Sequence, residues 1–198
     1  NWLIAGQRSG GIHIIDLNNN KQLHFFQAHS APIFDIQLLE DENHLLVGCG
    51  EGSFWYWDFR NTDTVNRFQF SKKNLRSLAI STQGDEFAAG YSDHTIRIFD
   101  LSTFVLKQVL EKHTNSVFSL CYFPDGKTLL SGGRDAHLIR WRANQQHEFK
   151  ESIVAHMFSI NHIAVNERKG LFATASMDKT IKIWRSDNRS LLKVIDKP

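Results

Sequence analysis

The feature that most constrains the fold of this chain is a pattern that recurs five times along it. Each copy has a small or acidic turn residue, followed by an alternating apolar strand that ends on a bulky residue. The copies occupy 10–16, 52–58, 94–100, 136–142 and 179–185. Their bulky residues are Ile15, Trp57, Phe99, Trp141 and Trp184, spaced by 42, 42, 42 and 43 positions. A regular period in this range indicates a fold built from copies of one structural unit.

Further strand-like segments accompany each copy. Apolar segments rich in small residues come just before the repeated strand, at 45–49, 87–91, 129–133 and 171–175. Earlier segments lie at 32–38, 74–80, 116–122 and 159–165, and later ones at 22–27, 65–70, 104–110 and 191–195. Four short strands in about 42 residues are typical of one blade of a β-propeller. We therefore predict an all-β chain made of four-stranded antiparallel blades.

The last two residues of each copy resemble the motif of the tryptophan–aspartate (WD) repeat family. The dipeptide is intact at Trp57-Asp58 and reads Phe99-Asp100 in the next copy. The remaining copies read Ile15-Asp16, Trp141-Arg142 and Trp184-Arg185. The resemblance covers essentially the whole chain and implies a single propeller domain over 1–198. We expect its blades at about 1–28, 29–70, 71–112, 113–154 and 155–198.

The first of these five blades has only three strands, because its innermost strand is missing from the sequence. A sheet edge left open in this way is a hazard that natural proteins avoid. We therefore expect the chain to be a segment of a larger ring. Members of the family often have seven blades, and a closed ring of five is the alternative.

Two copies carry the four polar residues that the family buries in each blade. His113, Ser131, Asp135 and Trp141 are separated by 18, 4 and 6 positions, and the same spacings separate His156, Thr174, Asp178 and Trp184. We interpret these quartets as buried hydrogen-bond networks. Histidine, serine and aspartate could also form a catalytic triad. Recurrence of the cluster in register with the strands favours the structural interpretation.

The other blades carry incomplete quartets. One keeps His29 and Trp57 but has Glu51 at the acid position and Val47 where a hydroxyl is expected. The next keeps Asp93, whereas Ser71, Ala89 and Phe99 replace the other three residues. We expect apolar packing alone to hold that blade.

The resemblance also implies where a partner would bind. In the family, the innermost strands and the loops between blades meet at one face of the disc. The positions that correspond to this rim are Arg8, Phe34, Asn74, Arg76, Phe118, Arg134, Asn161 and Met177. Aromatic residues and arginine dominate the energetics of many protein interfaces. We expect this face to bind an extended peptide or a protein loop that carries acidic residues; packing of Phe34 and Phe118 into the core is the alternative.

Composition and motifs argue against several other functions. The net charge of +2 is far from that of a dedicated nucleic-acid-binding protein, and no apolar run is long enough to span a bilayer. The ten histidines and two cysteines show no metal-ligand spacing, and the chain has no phosphate-binding loop. We expect no metal, cofactor, small-molecule substrate, nucleic acid or membrane partner. Cys49 and Cys121 read as reduced core residues, which favours a cytoplasmic location.

Together these observations predict a non-catalytic scaffold for protein–protein or protein–peptide interaction. The alternative is a propeller module of a larger protein whose catalytic or sensory domain lies outside this segment. A propeller enzyme is disfavoured, because no cluster of acids, bases or metal ligands stands apart from the repeats.

Overall fold

The computed structural model describes residues 1–27, 30–61, 65–143 and 146–196. The chain divides into two compact units, Asn1–Leu78 and Ala79–Pro198. Within the described ranges the structure is all-β, with 19 strands in five sheets and one short 3₁₀ turn at Glu167–Lys169. The first sheet has three strands and each of the others has four, which confirms the predicted fold class.

The first unit contains the first two sheets of the chain. One has the order β1-β2-β3 and the other β4-β5-β6-β7, and within each sheet neighbouring strands are antiparallel. Their strands are β1 (Trp2–Gly6), β2 (Gly11–Asp16), β3 (Lys21–Gln27), β4 (Ile33–Leu38), β5 (His44–Cys49), β6 (Ser53–Asp58) and β7 (Val65–Gln69). Strand β8 (Leu75–Ile80) contains the boundary between the units and belongs to a third sheet, of order β11-β10-β9-β8.

The second unit holds the rest of the third sheet and two more. The fourth sheet has the order β12-β13-β14-β15 and the fifth β16-β17-β18-β19. The strands are β9 (Glu86–Tyr91), β10 (Ile96–Asp100), β11 (Leu106–Leu110), β12 (Val117–Tyr122), β13 (Thr128–Gly133), β14 (His137–Arg142), β15 (Glu148–Val154), β16 (Ile160–Asn166), β17 (Leu171–Ser176), β18 (Thr180–Arg185) and β19 (Leu191–Asp196).

The small residues of the second strand in each blade make close contact between sheets. Every residue of β9 and β13 is buried, so both faces of these strands are covered. A side-chain carbon added at Gly132 would lie 2.7 Å from Ile160 Cγ2, closer than two carbon atoms that are not bonded to each other can approach. The absence of a side chain at this position therefore lets the fourth and fifth sheets pack directly.

The turn before each repeated strand has one residue in the left-handed region. It is Gly10 (φ 88°), Gly52 (φ 85°), His94 (φ 74°), Ala136 (φ 63°) or Lys179 (φ 70°). Glycine adopts this conformation without a steric penalty, whereas other residues are strained in it. At Gly52 a side-chain carbon would also overlap the carbonyl oxygens of Ser71 and Lys73. The repeated turn thus explains the small residues that begin two of the copies.

Polar residues on the innermost strands bridge neighbouring sheets within each unit. In the first unit the Asp35 carboxylate accepts a hydrogen bond of 2.7 Å from the backbone N–H of Leu78. In the second unit the Ser119 hydroxyl accepts one of 2.9 Å from the backbone N–H of Ile163. Both acceptors lie at a register shift in their strand, where the regular ladder is interrupted. These bonds therefore satisfy a backbone group across the sheet-to-sheet contact.

Candidate functional site

The first complete quartet lies in the fourth sheet and forms one connected network. The ring nitrogens of His113 lie 2.9 Å from Asp135 Oδ2 and 2.8 Å from Ser131 Oγ. The indole N–H of Trp141 donates to the same Ser131 oxygen over 2.9 Å. Burial by itself would raise the pKa of Asp135, but hydrogen bonds from His113 and from the backbone N–H of Thr114 outweigh it and lower the pKa. Each polar group in the quartet thus has a partner.

The second complete quartet repeats this geometry in the fifth sheet. The ring of His156 lies 2.9 Å from Asp178 Oδ2 and 2.7 Å from Thr174 Oγ1, and Trp184 donates to Thr174 over 2.9 Å. The pKa of Asp178 is lowered, because hydrogen bonds from Thr180, from the His156 ring and from backbone N–H groups outweigh the opposing effect of burial. The structure thus brings together the residues of both predicted quartets.

Burial separates these quartets from a catalytic triad. Ser131 and Thr174 are both 0% exposed, and each hydroxyl oxygen already accepts an indole N–H. A nucleophile must reach the substrate and must lie beside a donor pair that stabilises the oxyanion. Neither hydroxyl can meet an external substrate, so the geometry is that of a structural network.

The second sheet has an unpaired group where its quartet is incomplete. Trp57 is 1% exposed, and its indole N–H finds no acceptor among the residues that the structure describes. The position of the missing hydroxyl is occupied by Val47, which is fully buried. Glu51, at the acid position, instead pairs with Arg67 at 2.7 Å. His29, the fourth member predicted here, lies outside the described residues.

The third sheet has more polar contacts than the sequence predicted. Apolar packing is present, since the rings of Phe87 and Phe99 stack at 5.1 Å. Asp93, however, forms an ion pair of 3.0 Å with Arg97, whose guanidinium lies 4.4 Å from the ring of Tyr91. The expectation that this blade is held by apolar packing alone is therefore wrong. The acid at position 93 takes an arginine partner in place of the missing histidine.

A second polar cluster, which the sequence did not reveal, joins the third and fourth sheets. Glu86 accepts hydrogen bonds from Lys107 at 2.7 Å and from the hydroxyl of Tyr122 at 3.0 Å, and lies 3.1 Å from His147 Nε2. Gln108 exchanges two hydrogen bonds, of 2.8 and 2.9 Å, with the backbone of His147. Burial by itself would raise the pKa of Glu86. The hydrogen bonds from His147, Lys107 and Tyr122 and the charge of His147 outweigh this effect and lower the pKa to about 2.

A signal for this cluster exists in the repeats. The positions equivalent to Tyr122 are Leu38, Ile80 and Val165, all apolar. Glu86 likewise aligns with residues that are not acidic: His44, Thr128 and Leu171. Polar residues at positions that are apolar or neutral in other copies mark a contact specific to one pair of blades.

Three of the four predicted rim residues of the first unit, Phe34, Asn74 and Arg76, form a contact group. The guanidinium of Arg76 lies 4.1 Å from the ring centroid of Phe34, and with its amide oxygen turned toward Arg76, Asn74 accepts a hydrogen bond of 3.0 Å. In that orientation the Asn74 amide also donates to the carbonyl of Gly50. Phe34 is 38% exposed, so it is not packed into the core. Arg8 is exposed in the turn between β1 and β2.

The predicted rim residues of the second unit lie on two of its sheets. In the fourth sheet Arg134 is exposed and Phe118 is half-buried. In the fifth, the Ser159 hydroxyl lies 3.3 Å from the side-chain oxygen of Asn161 and 3.7 Å from the sulfur of Met177. The backbone N–H of Met177 donates to the Ser159 carbonyl, as that of Arg134 does to Ser116 in the fourth sheet. Within each sheet the two strand ends predicted to form the rim are therefore adjacent.

Two exposed apolar residues beside Met177 were not predicted. Met157 is 84% exposed, Phe158 is 58% exposed and Met177 is 68% exposed. The Asp178 carboxylate accepts the backbone N–H of Met157 at 3.1 Å, and the Ser176 hydroxyl donates to the carbonyl of Phe158 at 3.2 Å. We call Met157, Phe158 and Met177 the apolar edge. Its backbone is held in place by the buried quartet of the same sheet.

The described residues contain neither a metal-ligand cluster nor a membrane-spanning helix. Across 1–27, 30–61, 65–143 and 146–196, no three His, Cys, Asp or Glu side chains converge on a point that could hold a metal ion. Within the same ranges no helix is long and apolar enough to cross a membrane. Cys49 and Cys121 are both free thiols, and burial raises the pKa of Cys49 to about 12 and that of Cys121 to about 11.

Comparison with known proteins relates this geometry to a family. The family model described as "WD domain, G-beta repeat" matches residues 20–58, 63–100, 104–142 and 147–185. Each match begins at or near the outer strand of one sheet and ends with the third strand of the next, so the sequence repeat is offset from the sheet by one strand. This offset means that the chain between two sheets lies inside a repeat.

Several curated proteins are similar over nearly the whole chain. WD repeat-containing protein 90 of Xenopus tropicalis is 26% identical over 93% of this chain and 11% of its own length. The U3 small nucleolar RNA-associated protein 15 homolog of Gallus gallus is 27% identical over 92% of the chain and 35% of its own length. Actin-interacting protein 1 of Drosophila melanogaster is 28% identical over 96% of the chain and 32% of its own length. The chain therefore spans about a tenth to a third of these relatives.

The family match covers most of the chain, and the two complete quartets and the strand order within each sheet agree with it. The family is defined by a structural repeat. This chain belongs to the WD40 family of G-beta repeats.

Proposed function

We propose that this chain is a non-catalytic module that binds a protein or peptide through the strand ends that carry the predicted rim. The observation that carries the proposal is the apolar edge, where Met157, Phe158 and Met177 are exposed on two segments that are hydrogen-bonded to each other. Methionine and aromatic residues are enriched at the centres of protein interfaces, where their burial supplies much of the binding energy. Water contact at three such side chains is unfavourable unless a partner covers them.

The rim of the first unit supports the same function with different chemistry. The Arg76 guanidinium lies against the ring of Phe34, an arrangement that presents a planar cation beside an apolar surface. An arginine held in this way can pair with a carboxylate in two parallel hydrogen bonds. We propose that the partner segment carries acidic residues opposite Arg76.

The quartets support the proposal by fixing the loops. Asp178 accepts hydrogen bonds from the His156 ring and from the backbone of Met157, so the apolar edge is attached to a buried network. A surface that is held in one conformation loses little conformational entropy on binding. In this view the quartets keep the binding surface in shape and take no part in chemistry.

The alternative of a module within a larger protein is favoured by the comparisons. The matched relatives are far longer than the aligned region, with 11% to 35% of their length covered. We propose that the binding module acts together with further segments, and sequencing the complete reading frame tests this.

Two relatives carry names that refer to small nucleolar RNA and to pre-mRNA processing, which supports a protein partner within an RNA-containing assembly. A cytoplasmic location stays a prediction, tested by imaging the tagged protein.

The test of the binding function uses the apolar edge. The full-length protein carrying Met157→Ser and Met177→Ser is used as bait for affinity purification from its native cells, with quantitative mass spectrometry. The control variant carries Val105→Ser and Leu192→Ser, which remove two exposed apolar side chains elsewhere. We expect the first variant to lose at least one partner that the control and the unmodified protein retain. Identical partner sets for all three proteins would refute the proposal.

A further inference from the structure

A cavity at the fourth sheet is lined by cationic side chains. Its volume is about 430 Å³, and its wall consists of Lys127, Thr128, Arg140, Trp141, Arg142 and Lys150. Four of these six residues are cations and none is acidic. Binding sites for small molecules commonly have volumes of about 300–1,000 Å³. We call this feature the basic cavity.

Arg142 replaces the aspartate that gives the WD motif its name. In the first three copies this aspartate accepts backbone N–H groups of the turn that follows. Asp16 accepts that of Asn18 at 2.9 Å, Asp58 that of Arg60 at 3.0 Å, and Asp100 that of Ser102 at 3.1 Å. An arginine has no acceptor atom and cannot perform this role. The exchange therefore removes a turn-stabilising acid and places a cation in the cavity wall.

Arg140 departs from the repeat in a second way. The equivalent positions are Ile14, Tyr56, Ile98 and Ile183, which are neutral and mostly aliphatic. The two arginines are two positions apart on β14, and both line the basic cavity. The position of Arg142 is acidic in the first three copies and is an arginine again in the last, at Arg185, so only this blade carries both cations.

Two shared carboxylates neutralise the cations of the cavity only in part. Glu151 Oε1 is shared, lying 3.0 Å from Arg140 and 2.5 Å from Arg189. Glu148 is likewise shared between Lys150 at 2.7 Å and Arg142 at 3.8 Å. Its pKa is lowered by the hydrogen bond from Lys150, by the charge of that lysine and, to a smaller extent, by the charge of Arg142.

Lys127 adds a cation with no ion-pair partner in the described part of the chain. The nearby Asp125 carboxylate accepts the backbone N–H of Lys127 and lies 3.2 Å from the hydroxyl of Thr128, so it serves the β12–β13 turn. The four cations of the wall thus lie near three carboxylates, and one of these, Glu151, is also paired with Arg189 outside the wall. The excess positive charge favours an anionic occupant.

We propose that the basic cavity binds a small molecule that carries two or more phosphate groups. Arginine forms paired hydrogen bonds with phosphate oxygens, and lysine supplies a point charge to them. A concave wall surrounds such an anion from several sides. An extended nucleic-acid strand, in contrast, usually binds along a groove. This site is separate from the apolar edge, so it goes beyond the proposed partner binding.

The test uses the full-length protein and isothermal titration calorimetry at a fixed low ionic strength. The probes are pyrophosphate and inositol hexakisphosphate, with sulfate, inorganic phosphate and a single-stranded RNA oligonucleotide for comparison. The variant Arg142→Asp restores the residue found in the first three copies, and Arg185→Asp makes the same change at the equivalent position of the last copy, outside the cavity wall. The two variants change the net charge equally, and thermal melting monitors their folding.

We expect at least one of the two polyphosphates to bind, and Arg142→Asp to weaken that binding by about tenfold or more, as loss of a desolvated charged contact does. Arg185→Asp should weaken binding by less than about twofold, through the general change in charge alone. Absence of binding by both polyphosphates would overturn the proposal. Equal weakening by the two variants, equal affinity for sulfate, or binding confined to single-stranded RNA would overturn it as well.

Discussion

The unpaired indole of Trp57 permits a gain of stability by a single substitution. Val47 pairs with Ile36 across β4 and β5, as Thr174 pairs with Ile163 across β16 and β17, so the two residues are equivalent. The hydroxyl of Thr174 accepts a hydrogen bond of 2.9 Å from the indole N–H of Trp184. The substitution Val47→Thr replaces a methyl group with a hydroxyl of similar volume, at a position where Trp57 has no acceptor among the described residues.

The expected magnitude follows from two opposing terms. Leaving a buried donor unpaired costs about 1–3 kcal/mol, which the new hydrogen bond recovers in part. Burying a hydroxyl in place of a methyl group costs about 1–3 kcal/mol when it finds no partner. With the Trp57 N–H as partner, we expect Val47→Thr to stabilise the protein by about 1 kcal/mol. For a chain of this length the melting temperature should rise by about 2–4 °C.

A double-mutant cycle isolates the hydrogen bond. Trp57→Phe removes the donor, and the third copy carries phenylalanine at this position naturally, as Phe99. In the Trp57→Phe variant the new hydroxyl of Val47→Thr has no indole N–H to accept, so the substitution should lower the free energy of unfolding by about 1–3 kcal/mol. Urea unfolding of the four proteins measures the free energies. An equal effect of Val47→Thr in both backgrounds would refute the reasoning, because the hydroxyl would then not sense the indole.

Further predictions concern the quartet, the repeated turn and the second polar cluster. Ser131→Ala leaves the buried ring of His113 and the indole of Trp141 each without a hydrogen-bond partner, and it should lower the free energy of unfolding by about 3 kcal/mol. The melting temperature should fall, and partner binding at a permissive temperature should be unchanged. Gly52→Ala should cost about 2 kcal/mol or more, whereas Lys179→Gly, at the equivalent turn, should be neutral or slightly stabilising; denaturant titration compares the two. Glu86 has its pKa lowered from 4.5 to about 2 in the folded state, so its stabilisation is present above about pH 4.5 and is lost as the pH falls toward 2. This amounts to roughly 3 kcal/mol, and Glu86→Gln should remove that part of the pH dependence; an unchanged acid-unfolding profile would contradict the assignment.

Much of the fold was predictable because a repeat multiplies weak local signals. One strand-like segment is ambiguous, but five segments spaced by 42 or 43 positions, each with companion strands, leave few alternatives. The fixed spacing of His113, Ser131 and Asp135 likewise predicted a contact that the structure shows at 2.8 and 2.9 Å. Spacing is informative here since antiparallel strands of constant length return equivalent residues to the same place.

Features that differ between copies were harder to predict. The ion pair of Asp93 with Arg97 was missed, because the repeat describes what the blades share and not how one blade compensates for a missing histidine. The cluster of Glu86 with His147 unites residues 61 positions apart that have no counterpart in other copies. Exposure of Met157 and Phe158 was also missed, since an apolar residue in a strand-rich sequence reads by default as core.

The amino-acid sequence by itself determined the number and order of strands, the period of the repeat and the membership of both quartets. It did so because these depend on local alternation and on fixed separations along the chain. Only the tertiary structure decided which hydroxyls are closed to solvent, which apolar residues stay exposed and which cations of the fourth sheet converge on one cavity. These depend on how neighbouring sheets pack side chains against each other, which no separation along the chain records.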